Sequence, residues 1–287
     1  GDIQADSWSP ETNLTGTGGT PAWSNTLSTT FDGVDDFVNV ADNNNLSFGD
    51  GITDSPFSIS AWIKMTDEIR FKIVSKKGAN QEYQFVTTGG GGVALYLYDN
   101  STGARIARYG ASLSAYRNTW IHVCATYDGN SLSTGIKCYV NGVQNDLYTS
   151  ASGSYTAMEN TIQSVEIGKE GSYYAEGNID ETSIFNTELS QTNVTDIYNL
   201  GTPTDISAMS GLVSYWRMGD GDTYPTITDN AGSNDGTMKN MSSANFVTDV
   251  PTAPTWSNTL STTFDGVDDF VDCGTITALN GGVSVFS

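Results

Sequence analysis

Three carboxylates crowd one predicted turn near the start of the sequence. Asp32, Asp35 and Asp36 lie around Gly33 in the sequence FDGVDDF. The same triplet recurs later in the chain as Asp265, Asp268 and Asp269. Calcium takes about six to eight oxygen ligands from carboxylates and carbonyls, so the turn is a candidate metal site. The alternative is structural, because Asp-Gly is a common turn sequence and the following two aspartates would then simply be solvated.

A second group of residues has the chemistry of sugar binding. Neutral sugars are held by aromatic faces together with hydrogen bonds from polar groups. Tyr173 and Tyr174 lie in the predicted loop EGSYYAEG, and loops present binding groups. Further tyrosines that could line a concave sheet are Tyr96, Tyr98, Tyr109 and Tyr116. The alternation LYLY also suits a strand with one face in the core, and this structural interpretation is favoured for Tyr96 and Tyr98.

Residues for nucleophilic catalysis are scarce. His122 is the only histidine, and it lies in the predicted strand sequence WIHV. A lone histidine on a strand is far more often packed or edge-exposed than catalytic. No serine is marked out as a nucleophile, and no other base is available to a Ser-His-Asp triad. We therefore expect no catalytic serine site.

Short strands would position all of these residues. The segment 57–65 alternates apolar with small or polar residues, as a half-buried strand does. The segments 120–127 and 136–140 flank the loop DGNSLSTG and form the clearest predicted hairpin. One helix is predicted within 189–200, with Ser190 as its cap. Many short antiparallel strands separated by turn residues predict a β-sandwich.

The three cysteines are Cys124, Cys138 and Cys273. An odd, low count argues against a disulfide scaffold. Folding the predicted hairpin brings Cys124 and Cys138 roughly opposite each other. Either a cross-strand disulfide or two buried thiols fits that placement, and two buried thiols is the favoured interpretation.

One sequence, WSNTLSTTFDGVDDFV, occurs twice, at Trp23–Val38 and at Trp256–Val271. An exact repeat predicts a modular chain. The predicted parts are a lead-in over 1–22, a complete module over 23–203, the lead-in or linker of a next module over 204–255, and the opening strands of an incomplete second copy over 256–287. A half-module cannot bury its own inner face, so we expect 256–287 to pack against a neighbour or to continue into a longer polypeptide.

The composition excludes some classes of partner. Acidic residues number 33 against 12 basic ones, and the formal net charge is -21. Nucleic acid and anionic membrane surfaces would repel such a chain, whereas cations and neutral sugars would not. No apolar run is long enough to span a bilayer. The sequence begins at Gly1 without a signal peptide, so we expect a processed chain or an internal piece of a longer one.

Four phrases, in order and with matching spacing, resemble the concanavalin A-like, laminin-G-like jelly-roll family. They are STTFDGVDDFVNV (28–40), FSISAWIK (57–64), WIHVCATYDG…IKCYVNGV (120–143) and GNIDETSIFNTELS (177–190). The resemblance covers residues 28 to about 200. It implies an all-β fold, a two-sheet antiparallel jelly-roll sandwich with one short helix near the end of the module.

The resemblance also implies candidate metal ligands. Members of the family often hold calcium between the first turn and the closing strand, which implies Asp32 and Asp180 as Ca²⁺ ligands, with Asp36 behind them.

Some hydrolases of this fold carry Glu-x-Asp-x-x-Glu on one strand. Here the nearest sequence is NIDETS (178–183), in which strand alternation would place Asp180 and Glu181 on opposite faces. One carboxylate per face cannot supply both acid and nucleophile, so a glycosidase is disfavoured.

A looser resemblance concerns the segment 212–238, which is similar to lead-ins of modules in multi-domain bacterial surface proteins and phage structural proteins. It implies an extracellular, cell-surface or virion-surface location. The favoured function is a non-catalytic recognition or adhesion module that binds glycans, with structural calcium. Its partners would be glycans or surface proteins, and neighbouring modules or subunits. The alternative is a purely structural jelly-roll subunit of a phage fibre, capsid decoration or surface filament, and a glycoside hydrolase ranks last.

Overall fold

The computed structural model describes residues 23–253 and residue 267, which contain short strands and one α-helix. In chain order the strands are β1 (Ser28–Asp32), β2 (Phe37–Val40), β3 (Phe57–Met65), β4 (Lys72–Lys77), β5 (Gln81–Thr87), β6 (Gly92–Asp99), β7 (Ala104–Ser112), β8 (Ile121–Tyr127), β9 (Ile136–Val140), β10 (Val143–Gln144), β11 (Asp146–Ser152), β12 (Val165–Ile167), β13 (Lys169–Glu170), β14 (Tyr173–Tyr174), β15 (Glu176–Phe185), β16 (Leu212–Trp216), β17 (Thr226–Ile227), β18 (Gly236–Lys239) and β19 (Phe246–Val247). The helix α1 is Gln191–Tyr198, and short 3₁₀ turns lie at Asn44–Leu46, Ser114–Tyr116, Ser133–Gly135, Asn199–Gly201 and Ser243–Asn245. No helix of the described residues is long and apolar enough to be a membrane span.

The strands form two large antiparallel sheets. The eight-stranded sheet has the order β10-β9-β8-β3-β15-β1-β19, with β16 also paired to β15. The nine-stranded sheet has the order β11-β7-β6-β5-β4-β12-β2-β18-β17, and β13 and β14 form a separate hairpin. The predicted all-β, two-sheet jelly-roll sandwich with one short helix is confirmed.

The core between the sheets follows from strand alternation. In β3 the apolar side chains of Ile59, Ala61 and Ile63 point into the main core, and in β6 those of Leu95 and Leu97 meet them from the other sheet. The intervening residues of each strand therefore point away from the core. Within the part of the chain that the structure describes, what covers those outward faces differs between the two sheets.

The outward face of the eight-stranded sheet is covered by the helix. The side chain of Ser190 caps α1 by accepting a hydrogen bond from the backbone N–H of Asn193, and Val194 and Ile197 are buried in a second apolar cluster. The predicted helix and its cap are confirmed. This second cluster explains why eight of the nine residues of β3 are buried, although the sequence predicts a half-buried strand.

The hairpin of β8 and β9 settles the state of two cysteines. Cys124 lies opposite Tyr139, and Cys138 lies opposite Ala125. Adjacent rungs of a ladder point to opposite faces, so Cys124 joins the cluster under the helix while Cys138 joins the main core. Both are buried free thiols, as favoured from the sequence. Cys273 lies outside the described residues.

The segment 204–253 contributes strands to both sheets. Strand β16 pairs with β15, β19 pairs with β1, and β18 pairs with β2. Unpaired backbone edges bind strands readily, and here a later part of the chain occupies three of them. The sequence predicts a linker over 204–255, but the compact unit continues through this segment and ends at Ala253. The predicted lead-in over 1–22 and, apart from residue 267, the second copy over 256–287 lie outside the described residues.

Candidate functional site

No helix of residues 23–253 covers the outward face of the nine-stranded sheet, and four tyrosines cluster on it. Tyr96 and Tyr98 alternate with core residues of β6, Tyr109 lies on β7, and Tyr148 lies opposite it on the edge strand β11. The ring centroids of Tyr109 and Tyr148 are 4.4 Å apart and stacked. Tyr96 meets Tyr109 edge-on at 5.4 Å and Tyr98 in a stacked arrangement at 6.3 Å.

Polar groups continue this face across the neighbouring strands. Ser75, Gln84 and Tyr96 lie in direct register on β4, β5 and β6. The amide nitrogen of Gln84 donates to the hydroxyl of Tyr98 at 2.6 Å. Gln84 is only 7% exposed, yet its Oε1 has no hydrogen-bond partner among the described residues, and neither has the buried Oγ of Ser75. Buried polar atoms without partners are uncommon, and these two lie directly opposite each other on neighbouring strands.

We call this surface the tyrosine face; its residues are Ser75, Gln84, Tyr96, Tyr98, Arg105, Tyr109 and Tyr148. Burial, together with neighbouring phenols or carboxylates, raises the pKa of Tyr96 and Tyr98. Both phenols therefore keep their protons and act as hydrogen-bond donors over the physiological pH range. Tyr116, the other tyrosine that the sequence suggests, packs against the main core instead.

The hairpin β13–β14 adjoins the tyrosine face through a chain of charged contacts. Glu170 pairs with Lys77 and, at 3.4 Å, with Lys72. The Nζ of Lys77 lies 5.4 Å from the ring centroid of Tyr98. Although burial acts to raise it, these two lysines hold the pKa of Glu170 below its ordinary value. Glu170 therefore stays ionised and ties the hairpin to the sheet.

The two tyrosines predicted to bind ligand lie on this hairpin in different settings. Tyr173 is 46% exposed, and Arg70 donates to its hydroxyl at 3.3 Å. The Arg70 guanidinium and the Lys72 ammonium lie 4.9 Å and 5.1 Å from its ring centroid. Tyr174 is half-buried, with its ring 6.5 Å from that of Phe37. Their role in ligand binding stays a prediction, and Tyr173 is the one whose ring is open to solvent.

The predicted calcium turn brings three carboxylates together. One oxygen of each of Asp32, Asp35 and Asp36 lies within 4.8 Å of the others. Asp32 Oδ1 accepts from the backbone N–H of Val34 at 2.8 Å, and Asp36 Oδ2 accepts from the Asn245 side chain at 3.1 Å. Burial and the Asp32 charge raise the pKa of Asp36, a crowding that a bound cation would relieve. The donor set fits part of a calcium shell, and the remaining oxygens would come from backbone or water.

Asp180, the third predicted ligand, lies apart from this turn. Asp32 pairs with Glu176 on β15, so Asp180 is four residues further along the strand, about 13 Å away. It is fully buried, and its Oδ2 accepts from the side chain of Asn25 at 2.8 Å. The structure thus brings Asp32 and Asp36 together but does not bring Asp180 to them.

The alternation expected at Asp180 and Glu181 does not hold. Pairing of β15 with β3 shifts between Asp180 and Ser183, and Glu181 has a left-handed φ of 47°. This bulge breaks the period of two, so both carboxylates enter one buried cluster with Arg217 and Asp220. Asp180 and Glu181 therefore do not lie on opposite faces, and the predicted single carboxylate per face is wrong.

That buried cluster is committed to structural contacts. Glu181 accepts from the hydroxyl of Tyr215 and, at 3.2 Å, from the Nε of Arg217. Asp220 accepts from the backbone N–H groups of Thr26 and Leu27 at 2.8 Å and 3.1 Å. Burial raises the pKa of Glu181 to about 7, a value that suits a general acid. Both carboxylate oxygens are already bonded inside the protein, to Tyr215 and Arg217, so Glu181 serves the fold.

A serine and a histidine also meet, but inside the protein. The Oγ of Ser60 lies 2.7 Å from Nε2 of His122, and both side chains are essentially fully buried. The Nδ1 of His122 has no partner among the described residues, so no third group orients the ring. Burial lowers the pKa of His122 to about 3, which keeps it neutral. The pair lacks substrate access and an orienting carboxylate, and it gives no support to nucleophilic catalysis.

A cavity of about 220 Å³ lies elsewhere, beside the start of α1. Its lining residues are Thr187, Glu188, Leu189, Asn193, Met209 and Ser210. The carboxylate of Glu188 is bound by Lys137 at 2.6 Å. The cavity shares no residue with the tyrosine face, and its lining brings together no acid and base pair.

The sequence predicts only part of the tyrosine face. It suggests Tyr96, Tyr98 and Tyr109 as sheet-lining residues, with a structural role favoured for Tyr96 and Tyr98. Ser75, Gln84, Arg105 and Tyr148 were missed, because they come from four different strands whose register no local pattern reveals. The signal available was the alternation in QEYQFV, which places Gln84 on the face opposite the core residue Tyr83.

Solved structures with a similar fold include three of different origin. A Bacteroides ovatus protein assigned provisionally to carbohydrate binding has a TM-score of 0.54 at 19% identity, with 80% of this chain and 62% of that chain covered. Domain 4 of an extracellular arabinanase from Geobacillus stearothermophilus, in complex with arabinotriose, has a TM-score of 0.40 at 16% identity, with coverages of 60% and 76%. A pentraxin from Limulus polyphemus has a TM-score of 0.36 at 14% identity, with coverages of 61% and 82%.

These likenesses concern the fold alone. The chain spans about 62% of the length of the Bacteroides ovatus protein. No match was found among curated proteins. The model of one sequence family, described as the Concanavalin A-like lectin/glucanases superfamily, matches residues 32–195. That range is more than half of the chain and contains most of the four phrases noted in the sequence. The chain belongs to the Concanavalin A-like lectin/glucanases superfamily.

Proposed function

We propose that this chain is a non-catalytic module that binds glycans on the tyrosine face. The observation that carries the proposal is the combination of four clustered tyrosines with two buried, unpartnered polar atoms, those of Gln84 and Ser75. Sugars offer apolar C–H faces and a ring of hydroxyl groups, and this surface supplies a partner for each.

The placement of the tyrosines argues for a ligand rather than for packing alone. Tyr109 on β7 stacks on Tyr148 of the edge strand β11, and Tyr148 is 51% exposed. Cross-strand aromatic pairs do stabilise sheets, and that contribution accounts for the contact between the two rings. It does not account for the buried amide oxygen of Gln84, which costs free energy until a donor reaches it.

The hairpin and the aspartate turn complete the proposed site. Tyr173 and Tyr174 would extend the aromatic surface at the side of the hairpin, as predicted from the sequence. Asp32 and Asp36 would hold a structural Ca²⁺ at the turn between β1 and β2, where Asn245 already bonds Asp36. We expect this ion to stiffen the turn rather than to touch the sugar. The residue after the turn is Phe37, whose ring lies beside that of Tyr174, so the ion would act on the hairpin through this strand.

Calorimetric titration against neutral and acidic oligosaccharides tests the proposal. Tyr109→Ala should weaken binding at least about tenfold, whereas Tyr109→Phe keeps the ring and should bind within about twofold of the wild type. Leu132→Ala removes an exposed side chain on the loop between β8 and β9 and serves as the off-site control. A parallel titration with a chelator separates the contribution of calcium. Absence of binding across all glycan classes, with the protein folded, would overturn the proposal.

A second candidate, a structural subunit, rests on a different observation. The edge strands β10 and β11 expose the apolar side chains of Val143, Leu147 and Tyr148, and exposed apolar edges favour pairing with another chain. Sedimentation of the wild type and of Leu147→Lys over a range of concentrations tests it. A wild type that stays monomeric at high concentration would exclude assembly through this edge.

A further inference from the structure

Most of the few basic residues of this acidic chain form ion pairs, and three form none within the part of the chain that the structure describes. Nine of the twelve lysines and arginines form ion pairs with carboxylates. The three that form none with the described residues are Arg70, Arg105 and Lys239. With 33 acidic residues available, a basic side chain would ordinarily find a carboxylate nearby.

All three lie on the same side of the molecule. Arg105 is directly opposite Tyr98, with its guanidinium 6.0 Å from the ring centroid of Tyr96. Arg70 lies over the ring of Tyr173 at the hairpin. Lys239 follows a core residue of β18 and is opposite Phe37, so it points outward from the nine-stranded sheet. The tyrosine face and its margins therefore carry three basic side chains that form no ion pair with a carboxylate of the described residues.

The neighbouring hairpin contains a carboxylate of the protein itself that is bound between two lysines beside tyrosine rings. The carboxylate of Glu170 lies between Lys72 and Lys77, beside the rings of Tyr173 and Tyr98. An arginine guanidinium offers paired N–H donors that match a carboxylate or a sulfate, and it stacks on aromatic rings at the same time. Arg105 and Arg70 have the stacking contact and lack the anion.

From this arrangement we infer that the tyrosine face takes an anionic glycan, whose carboxylate or sulfate groups bind Arg105 and Arg70 while its rings stack on the tyrosines. The inference rests on the proposed function and narrows its ligand class. The net charge of -21 disfavours nucleic acid and anionic membranes as partners, but it describes the molecule as a whole. The affinity of a surface for a charged ligand depends mainly on the charges close to the ligand, because salt screens these less than it screens distant charges.

The test compares ligands that share one backbone and differ in charge. Oligogalacturonate and its fully methyl-esterified form share one backbone, and a sulfated galactan oligosaccharide with its desulfated form makes a second pair. We expect at least about tenfold tighter binding of the charged member of one pair, with the affinity falling as salt is raised. The pair that shows the difference identifies carboxylate or sulfate as the group bound.

Substitutions identify the residue that is responsible for the preference for a charged ligand. Arg105→Gln should lose about tenfold in affinity for the charged oligosaccharide and leave the neutral one within about twofold. Arg105→Lys keeps the charge without the paired donors and should fall between. Lys137→Gln removes the same charge on the eight-stranded sheet and should change neither. Unfolding midpoints of all variants establish that each is folded.

The outcomes separate the two proposals. Equal binding of charged and neutral members, or equal loss in Arg105→Gln and Lys137→Gln, would overturn the anionic ligand and leave glycan binding intact. Failure of every oligosaccharide to bind the folded wild type would overturn both. Tighter binding of a charged member that depends on Arg105 alone supports the inference.

Discussion

Glu181 illustrates how a single backbone conformation determines the chemistry of a carboxylate. Its left-handed φ turns the side chain into the cluster with Asp180, Arg217 and Asp220. Inside that cluster burial raises its pKa to about 7, although Tyr215 and Arg217 act in the opposite direction. In the unfolded chain the pKa returns to near 4.5. Folding is therefore coupled to proton binding at this residue.

The sign of that coupling gives a prediction for Glu181→Gln. Between about pH 4.5 and 7 the folded state holds more protons at Glu181 than the unfolded state, so its contribution to stability is complete below pH 4.5 and is lost as the pH rises through 7. The free energy of unfolding of the wild type should fall by about 2 to 3 kcal/mol relative to Glu181→Gln between pH 5 and 8. Urea unfolding at a series of pH values measures the difference.

A matched control removes a carboxylate outside the cluster. Glu188→Gln takes away the partner of Lys137, and its stability curve should run parallel to that of the wild type from pH 5 to 8. His122 has the opposite sign, because burial lowers its pKa to about 3, but it is present in all three proteins and cancels. Parallel curves for Glu181→Gln and the wild type would show that the folded pKa is not raised.

At the scale of the elements, β15 is the strand on which the fold depends most. It pairs with β1, β3 and β16, and every residue from Ile179 to Phe185 is buried. Near its start, Gly177 has a φ of 135°, and a Cβ there would lie 2.1 Å from the backbone oxygen of Lys64. Only glycine permits that approach of two backbones.

We therefore predict that Gly177→Ala destabilises the protein by at least about 2 kcal/mol, because the clash is with backbone and cannot be relieved by a rotamer change. Gly103→Ala is the control: Gly103 also has a positive φ, of 69°, but nothing lies within 4 Å of the position that an added methyl group would take. That variant should lose only about 1 kcal/mol. Similar losses in the two variants, measured by urea unfolding, would refute the role assigned to close approach at Gly177.

The elements themselves were largely predictable from the sequence, and their contacts were not. Period-two patterns predicted β3 and the hairpin β8–β9, and Ser190 predicted the start of α1, because each signal is local. The tyrosine face depends on register among β4, β5, β6, β7 and β11, which local patterns do not encode. The bulge at Glu181 is likewise invisible to a rule that assumes regular alternation.

At the scale of the whole molecule, the sandwich is completed by residues that follow the predicted module. The segment 204–253 supplies β16, β18 and β19 to the edges of β15, β2 and β1. In this segment, the side chains of Arg217 and Asp220 form hydrogen bonds with backbone groups of three residues in the first copy of the repeated sequence, which are Ser24, Thr26 and Leu27. These contacts span about 190 residues of the chain, so no inspection of a linker composition could have foreseen them.

Two truncations test this role of the segment 204–253. A chain ending at residue 203 keeps the whole predicted module but exposes three strand edges and leaves the buried carboxylates Asp180 and Glu181 without Arg217. An uncompensated buried charge and unpaired edges both destabilise strongly, so we expect no cooperative unfolding transition and a tendency to aggregate. A chain ending at residue 253 keeps all of the observed pairing and should unfold cooperatively. Cooperative unfolding of the 203-residue chain, with stability equal to that of the longer one, would show instead that 204–253 is dispensable and that the module predicted from the sequence folds by itself.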